Sequence, residues 1–255
     1  MKQGFVKVAS ATPRIRVADP VYNAQVICEQ AKEAAEHGAK IVVFPELCIT
    51  GYTCNDLFLQ ELLLEKAKEA LLTIAEETGQ LETLFLVGLP VDKDGRLYNV
   101  AAVLYRGRIL GMIPKKNIPM YAEFYEGRHF TPGEETVTEY RLGKQVIPFG
   151  SNLLFRCEEL PELILGCELC EDLWVAEPPS TSHALMGATV IANLSASNET
   201  VSKDDYRTLL IKASSARLLC GYIYTSAGEG ESTQDLVFGG HDLIAENGTC
   251  LLYTS

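Results

Sequence analysis

Glu162-Leu-Ile-Leu-Gly-Cys-Glu-Leu-Cys170, followed at once by Glu171-Asp172-Leu-Trp174, is an apolar run that stops at a cysteine and then turns acidic. It reads as a buried strand ending in a sharp turn. Reading outward, Thr189 to Leu194 is a predicted strand, Asp204 to Cys220 a helix and Gly221 to Ser226 another strand. A last hairpin turns at Glu246-Asn247-Gly248. Toward the N-terminus the same rhythm recurs. Phe5 to Ser10 reads as a strand, and Asp19-Pro20 as a helix start, with Asp capping and Pro at the first helical position. His37-Gly38 ends that helix before the buried strand Lys40-Ile-Val-Val-Phe-Pro45. A second helix is expected from Asn55-Asp56, with Leu64, Ala67, Leu71, Ile74 and Ala75 as its apolar stripe and Gly79 as its stop. Leu84 to Pro90 is a buried strand, and Asp94-Gly95 and Arg106-Gly107 are hairpin turns flanking Leu97 to Tyr105. The polar stretch Tyr121 to Gly150 reads as loop with short strands, covering a pocket or a partner surface. The pattern predicts one α/β domain whose mixed sheet is covered on one side by helices. Leu251 to Ser255 reads as a strand with nothing after it, so the chain is expected to be a fragment of a longer protein.

At 255 residues the chain can bury a sizeable core without disulfide staples. Its net charge of −12, with no basic cluster, argues against nucleic acid or an anionic membrane as a main partner. No apolar run approaches the roughly 20 residues that span a bilayer. Met1 to Arg16 lacks the core and cleavage site of a signal peptide. Eight cysteines are too few for a disulfide scaffold, so reduced thiols and a cytoplasmic location are expected.

Strand ends carry the chemistry. Val43-Phe-Pro-Glu46 and Ile113-Pro-Lys115 end apolar runs as Cys170 does. A thiol, a carboxylate and an ammonium brought together point to acyl transfer from an amide. In that chemistry Glu46 takes the thiol proton, Cys170 attacks, and Lys115 with the Glu171 backbone N–H steadies the oxyanion. Lys115 is expected to lower the thiol pKa. Taken singly, each residue has a plainer reading. Cys170 is a small buried hydrophobe, Glu46 a solvated strand-end carboxylate, and Lys115-Lys116 a surface pair. Cys167 and Cys170 also form a C-x-x-C pair with a redox or metal reading, weakened because alternation sends the two to opposite faces, no second pair occurs and the four histidines are scattered. Cys28, Cys48, Cys54, Cys220 and Trp174 read as packing residues.

Together, Phe44-Pro-Glu46-Leu-Cys-Ile-Thr-Gly-Tyr52, Pro114-Lys115, Pro119-Met-Tyr121-Ala-Glu-Phe-Tyr-Glu126, Cys170-Glu-Asp-Leu-Trp174, Asn193-Leu-Ser-Ala-Ser197 and Glu231-Ser-Thr-Gln-Asp-Leu236 resemble the nitrilase superfamily of carbon–nitrogen hydrolases. Within it they are most similar to the glutaminase domains of glutamine-dependent NAD⁺ synthetases. The resemblance covers essentially the whole chain. It implies a four-layer α-β-β-α sandwich and a triad of Glu46 as general base, Lys115 as electrostatic partner and Cys170 as nucleophile. It implies glutamine contacts at Tyr121, Ser197, Lys203 and Glu171, with Tyr52 and Glu126 as further pocket candidates. Position 203 departs from the arginine often found there, and lysine lacks the bidentate grip of a guanidinium. Residues 1–255 are then a glutaminase domain with no cofactor or metal of its own. Ammonia from L-glutamine would pass to a synthetase domain using ATP, Mg²⁺ and deamido-NAD⁺. That domain's Ser-Gly-Gly-x-Asp-Ser loop has no counterpart here, Gly239-Gly240 being followed by His241. The resemblance also implies a homo-oligomer. A free-standing aliphatic amidase or N-carbamoyl amidohydrolase, and an inactive assembly domain, are the alternative expectations.

Overall fold

The computed structural model describes residues 4–254. Met1 to Gln3 and Ser255, which belong to the expected leaderless start and final strand, lie outside the described residues. In chain order the elements are β1 (Val8–Ser10), α1 (Pro20–Glu36), β2 (Ile41–Val43), a 3₁₀ helix (Tyr52–Leu59), α2 (Glu61–Glu77), β3 (Leu84–Lys93), β4 (Arg96–Tyr105) and β5 (Arg108–Pro114). Then follow β6 (Thr138–Leu142), β7 (Gln145–Phe149), β8 (Leu154–Arg156), β9 (Ile164–Leu169) and a 3₁₀ turn (Cys170–Leu173). The chain finishes with α3 (Pro179–Leu185), β10 (Val190–Ser195), α4 (Lys203–Leu218), β11 (Gly221–Ser226), β12 (Leu243–Glu246) and β13 (Thr249–Tyr253).

The strands form two mixed sheets, ordered β1-β2-β3-β4-β5-β7-β6 and β13-β12-β11-β10-β9-β8. Alternation along each strand decides the layers. Phe85, Val87 and Leu89 of β3 face α1 and α2, against Ile27, Ala31, Ala67 and Leu71. Leu86 faces the other way, into a core shared with Leu165, Cys167, Leu169, Leu194 and Ile223 of the second sheet. That sheet's outer face buries Ile191, Tyr222 and Tyr224 beneath Ile211 of α4. The result is helix, sheet, sheet, helix. A single sheet covered on one side, as periodicity alone predicts, is therefore corrected to two sheets sharing an inner core. Among the described residues no helix is long and apolar enough to cross a membrane.

Several element bounds differ from the sequence reading. The strand predicted from Phe5 begins at Val8. The helix predicted from Asn55 is a 3₁₀ helix broken at Asn55 (φ 49, ψ −132), and the α-helix starts at Glu61 and buries Leu63 in place of Leu64. The helix predicted from Asp204 to Cys220 runs Lys203–Leu218 and ends where Leu219 turns left-handed (φ 50). The polar stretch after Tyr121 contains the β6–β7 hairpin, which extends the first sheet beyond β5.

One glycine nails the first site-bearing turn to the sheet. Phe44 N–H donates to Leu86 O at 2.9 Å and Ile49 N–H to Gly88 O at 3.1 Å. A Cβ on Gly88 would lie 2.3 Å from Leu47 N and 2.6 Å from Pro45 O. Those are rigid backbone atoms, so the turn carrying Glu46 must move to admit a methyl group. Gly88→Ala is expected to cost about 3 kcal/mol in urea unfolding and to impair any activity that uses Glu46. An unchanged midpoint would show that the turn yields freely.

Candidate active site

Glu46, Lys115 and Cys170 come from two sheets and meet at one end of the sandwich. Glu46 follows β2, and its N–H donates to Ser195 O of the second sheet at 3.3 Å. Lys115 directly follows β5. Its N–H donates to Asn99 O at 2.8 Å, and its carbonyl accepts the Gly133 N–H at 2.7 Å. Cys170 follows β9. Asp172 braces these segments. Its carboxylate accepts the N–H groups of Leu169 at 3.0 Å and Asn117 at 2.8 Å, and the Asn117 amide at 2.8 Å. One buried carboxylate thereby ties the turn at Cys170 to the chain leaving Lys115.

Cys170 sits at φ 41, in the left-handed region. That conformation costs an L-residue roughly 1–2 kcal/mol. This turn takes Cys170 out of strand alternation, so the expectation that Cys167 and Cys170 simply face opposite sides of one strand is corrected. Cys167 lies in the inter-sheet core, and Cys170 heads the 3₁₀ turn. Leu47, beside Glu46, is also left-handed at φ 52. Backbone strain thus accompanies two of the three groups.

Glu46 and Lys115 are both 0% exposed. The plainer readings, a solvated carboxylate and a surface cation, are therefore corrected. Lys115 Nζ donates to Glu46 Oε1 at 2.7 Å and to Glu126 Oε1 and Oε2 at 2.7 and 2.9 Å. Burial opposes the ammonium charge, but Glu126 and then Glu46 outweigh it and hold Lys115 well above its usual pKa. Asn99 Nδ2 also donates to Glu46 Oε1, at 2.7 Å. Glu46 Oε2 is buried and makes no hydrogen bond. One oxygen is therefore fixed by two donors while the other remains an unused acceptor.

Burial raises the Cys170 thiol pKa, the Glu46 carboxylate raises it further, and Lys115 pulls the other way. The expected lowering by Lys115 is present but overridden, first by burial and then by the carboxylates of Glu46 and Glu126. These influences hold the resting Cys170 side chain toward the neutral thiol. Attack therefore requires a base, and the free oxygen of Glu46 fits that need.

The remaining candidates divide into two groups. Glu126 lies on Lys115 and accepts Tyr52 Oη–H at 2.8 Å. Burial pushes its pKa up, with Lys115 acting against that. Both residues thus belong to the polar cluster around Lys115. Nearer the surface, the exposed Tyr121 donates its hydroxyl to both Glu171 oxygens at 3.0 and 2.9 Å. Lys203, at the head of α4, bonds Asn198 Oδ1, and its ammonium lies 5.4 Å from the Phe124 ring centre and 5.3 Å from that of Trp174. Burial lowers its pKa. Ser197 is buried and its Oγ accepts from Arg207 at 3.2 Å. Lys116, by contrast, points away to Glu135. Cys48 and Cys54 are buried against Gly88 O and Thr50 O. Trp174 packs on Tyr206, with ring centres 5.6 Å apart.

Sequence pattern alone does not single out Asn99, Asp172 or Arg207. Asn99 is the lone amide between Tyr98 and the apolar run Val100-Ala-Ala-Val-Leu104, a detectable anomaly in a central strand. Arg207 is fully buried one helical turn after Lys203. It donates to Glu199 at 2.9 Å as well as to Ser197, and its Nη1 lies 2.7 Å from His241 Nδ1. No group of three or more His, Cys, Asp or Glu suited to a metal ion occurs among the described residues.

Two residues before Cys170, Glu168 accepts Ser180 N–H at 2.8 Å and the Tyr222 hydroxyl. Burial pushes its carboxyl from the ordinary 4.5 up to about 7. Between those values the folded chain holds a proton that the unfolded chain has lost, so stability falls as pH rises through the window. The Glu168 contribution is on the order of 3 kcal/mol. Glu168→Gln is expected to flatten the decline in melting temperature between about pH 5 and pH 7.5. An unaltered slope would mean that Glu168 titrates normally.

A carbon–nitrogen hydrolase family model matches residues 7–248. The chain is 43% identical over 250 residues to a glutamine-dependent NAD(+) synthetase of Mycobacterium tuberculosis, covering 98% of this chain and 37% of the relative. It superposes with a TM-score of 0.87 on a glutamine-dependent NAD(+) synthetase from Cytophaga hutchinsonii, at 28% identity over 97% of this chain and 40% of that one. An amidase from Nesterenkonia sp., 21% identical, shares the fold with a TM-score of 0.77 over the full length of this chain and 88% of its own. The chain thus spans about two-fifths of the length of the synthetase relatives.

Proposed function

The chain belongs to the carbon–nitrogen hydrolase family, and from that premise we propose that residues 1–255 are a glutamine amidohydrolase working through a Cys170 thioester. Glu46 Oε2 accepts the thiol proton as the sulfur adds to the side-chain amide carbon of glutamine. The oxyanion is held by Lys115 Nζ and the Glu171 N–H. Each such donor is worth roughly 3 kcal/mol of barrier. The tetrahedral adduct collapses as protonated Glu46 gives its proton to nitrogen, and ammonia leaves. Glu46 then takes a proton from water, which attacks the thioester and releases glutamate, returning the thiol. Tyr121, Glu171, Ser197 and Lys203 hold the amino-acid end of glutamine, while Glu126 and Tyr52 keep Lys115 in place. The observation that carries this reading is the buried Lys115 ammonium shared by Glu46 and Glu126, with Glu46 Oε2 left without a donor and Cys170 within the electrostatic reach of all three.

The ammonia would serve a synthetase domain that converts deamido-NAD⁺ to NAD⁺ with ATP and Mg²⁺, in a cytoplasmic homo-oligomer. The two synthetase relatives support the glutamine-to-NAD⁺ part of this reading. None of these cofactors is assigned to residues 1–255. Gly239-Gly240 packs on Glu199 and Gly228 and leads directly into β12, a strand, and not into a helix N-terminus that could cradle a phosphate. Ammonia release from glutamine, asparagine, acetamide and an N-carbamoyl amino acid tests the substrate. Glutamine should be preferred by kcat/KM; preference for acetamide or the carbamoyl compound would overturn the assignment in favour of a free-standing hydrolase.

A further inference from the structure

Glu231 lies 179 residues beyond Tyr52 in the chain, yet its carboxylate is built into the first turn of the 3₁₀ helix that Tyr52 begins. Oε1 accepts the Tyr52 N–H at 2.7 Å, and Oε2 accepts the Thr53 N–H at 3.0 Å and the Thr53 hydroxyl at 2.6 Å. The Ser232 N–H returns a bond to Thr53 Oγ1 at 2.9 Å. Gly51, at the cap position, has no side chain to offer these N–H groups. A distant carboxylate thus takes the place of a helix cap.

The approach is close on both sides of this contact. Gly51 stands at φ 86, and a Cβ there would meet Ile15 Cδ1 at 3.2 Å and Glu231 Oε2 at 3.5 Å. Gly230 stands at φ 105, and a Cβ would fall 1.9 Å from Ile15 O. The same segment grips the Tyr52 ring from a second side through Phe238, edge-on at 5.8 Å. It also holds the residue before Glu126, since the Tyr125 hydroxyl donates to Asp235 at 2.7 Å. Tyr52 then donates to Glu126, and Glu126 accepts twice from Lys115.

We propose that Glu231 is a positioning residue for catalysis: by fixing the Tyr52 backbone it sets the Tyr52 hydroxyl on Glu126, and through Glu126 the reach of Lys115 toward the reacting carbonyl. The effect falls on the base and oxyanion side of the site, because the residues proposed to grip glutamine, Tyr121, Ser197 and Lys203, are held by other partners. Loosening Glu231 therefore lowers kcat and leaves KM nearly unchanged. Burial and Glu46 oppose ionised Glu126, while Lys115 and the Tyr52 hydroxyl favour it. Loosening Glu231 weakens the Tyr52 bond, so the acid limb of the rate profile moves to higher pH.

This inference rests on the glutaminase reading, and the test separates the two. Glutamine hydrolysis and Cys170 alkylation by iodoacetamide are measured in wild type, Glu231→Ala, Glu231→Gln, Tyr52→Phe and the Glu231→Ala/Tyr52→Phe double variant. Glu231→Ala should lower kcat about 100-fold, the scale of a misplacement near 1 Å. Glu231→Gln, keeping an acceptor, should recover most of that loss. The double variant should be no slower than the worse single one, because both changes cut the same chain of bonds, and both single variants should shift the acid limb in the same direction. Additive losses, a change in KM alone, or a lower melting temperature with kcat intact would overturn the positioning role. Should wild type hydrolyse no glutamine, the substrate assignment fails, and alkylation decides this inference. Slower Cys170 labelling in Glu231→Ala, with Glu231→Gln close to wild type, supports it, and equal labelling of Glu231→Ala and wild type overturns it.

Discussion

Replacing Cys170 with alanine will abolish glutamine hydrolysis, with a fall of about 10⁵-fold or more in kcat, while the chain still folds. The sulfur is the sole protein atom in the proposed cycle that bonds to carbon, so its removal leaves only the oxyanion donors and a base for water. Stability should respond to a different property of this position. At φ 41 the backbone favours glycine, so Cys170→Gly should unfold at a higher urea concentration than Cys170→Ala, by about 1 kcal/mol. The nucleophile is held in a conformation that costs the fold and serves the reaction. Ammonia assays and paired urea melts check both halves. Substantial hydrolysis by the alanine variant would remove Cys170 from the mechanism, and equal stability of the two variants would deny the strain.

Lys115→Met gives the second large effect, and its pH dependence is the informative part. Lys115 is fully buried between two carboxylates, Glu46 at 0% and Glu126 at 6% exposure. Removing the cation leaves two like charges in a dry site, which costs about 3–5 kcal/mol near neutral pH. The carboxylates relieve the strain by taking up protons, so the folded variant binds protons more tightly than its unfolded chain. Its stability therefore rises as pH falls, and the gap to wild type should be narrower at about pH 5 than at about pH 8. Activity should fall about 10³-fold through loss of an oxyanion donor. Urea unfolding at the two pH values is the check. A gap independent of pH would mean that the carboxylates do not share the site as described.

Much of this architecture is legible in the residues. Apolar runs ending at Glu46, Lys115 and Cys170 locate three strand ends, because a buried strand is recorded locally as a short apolar run with a polar stop. The hairpin turns at Asp94-Gly95, Arg106-Gly107 and Asn247-Gly248 are likewise local, and all three carry positive φ. Periodicity does not say which faces meet. Leu86 and Val87 look alike in sequence, yet one lies between the sheets and the other beneath the helices. Cross-chain polar partners are equally hidden. Asp172 reaches Asn117 across 55 residues, and Glu231 reaches Tyr52 across 179. Neither separation has a local signature, although Glu231 lies in a motif marked by resemblance. The thiol pKa is misjudged from sequence because the depth of burial, its largest cause, is not local either, and because Lys115 reads as a free cation whereas Glu126, 11 residues further on, shares it.

The central claim is that Glu46, Lys115 and Cys170 act as one unit on a glutamine side chain. Treatment with a diazo-ketone analogue of glutamine, followed by peptide mass spectrometry, tests it most directly. The account predicts a single adduct on Cys170, slowed in Glu46→Gln and absent in Cys170→Ala. Labelling of Cys48, Cys54 or Cys167 instead, or continued glutamine hydrolysis with Cys170 unlabelled, would contradict it.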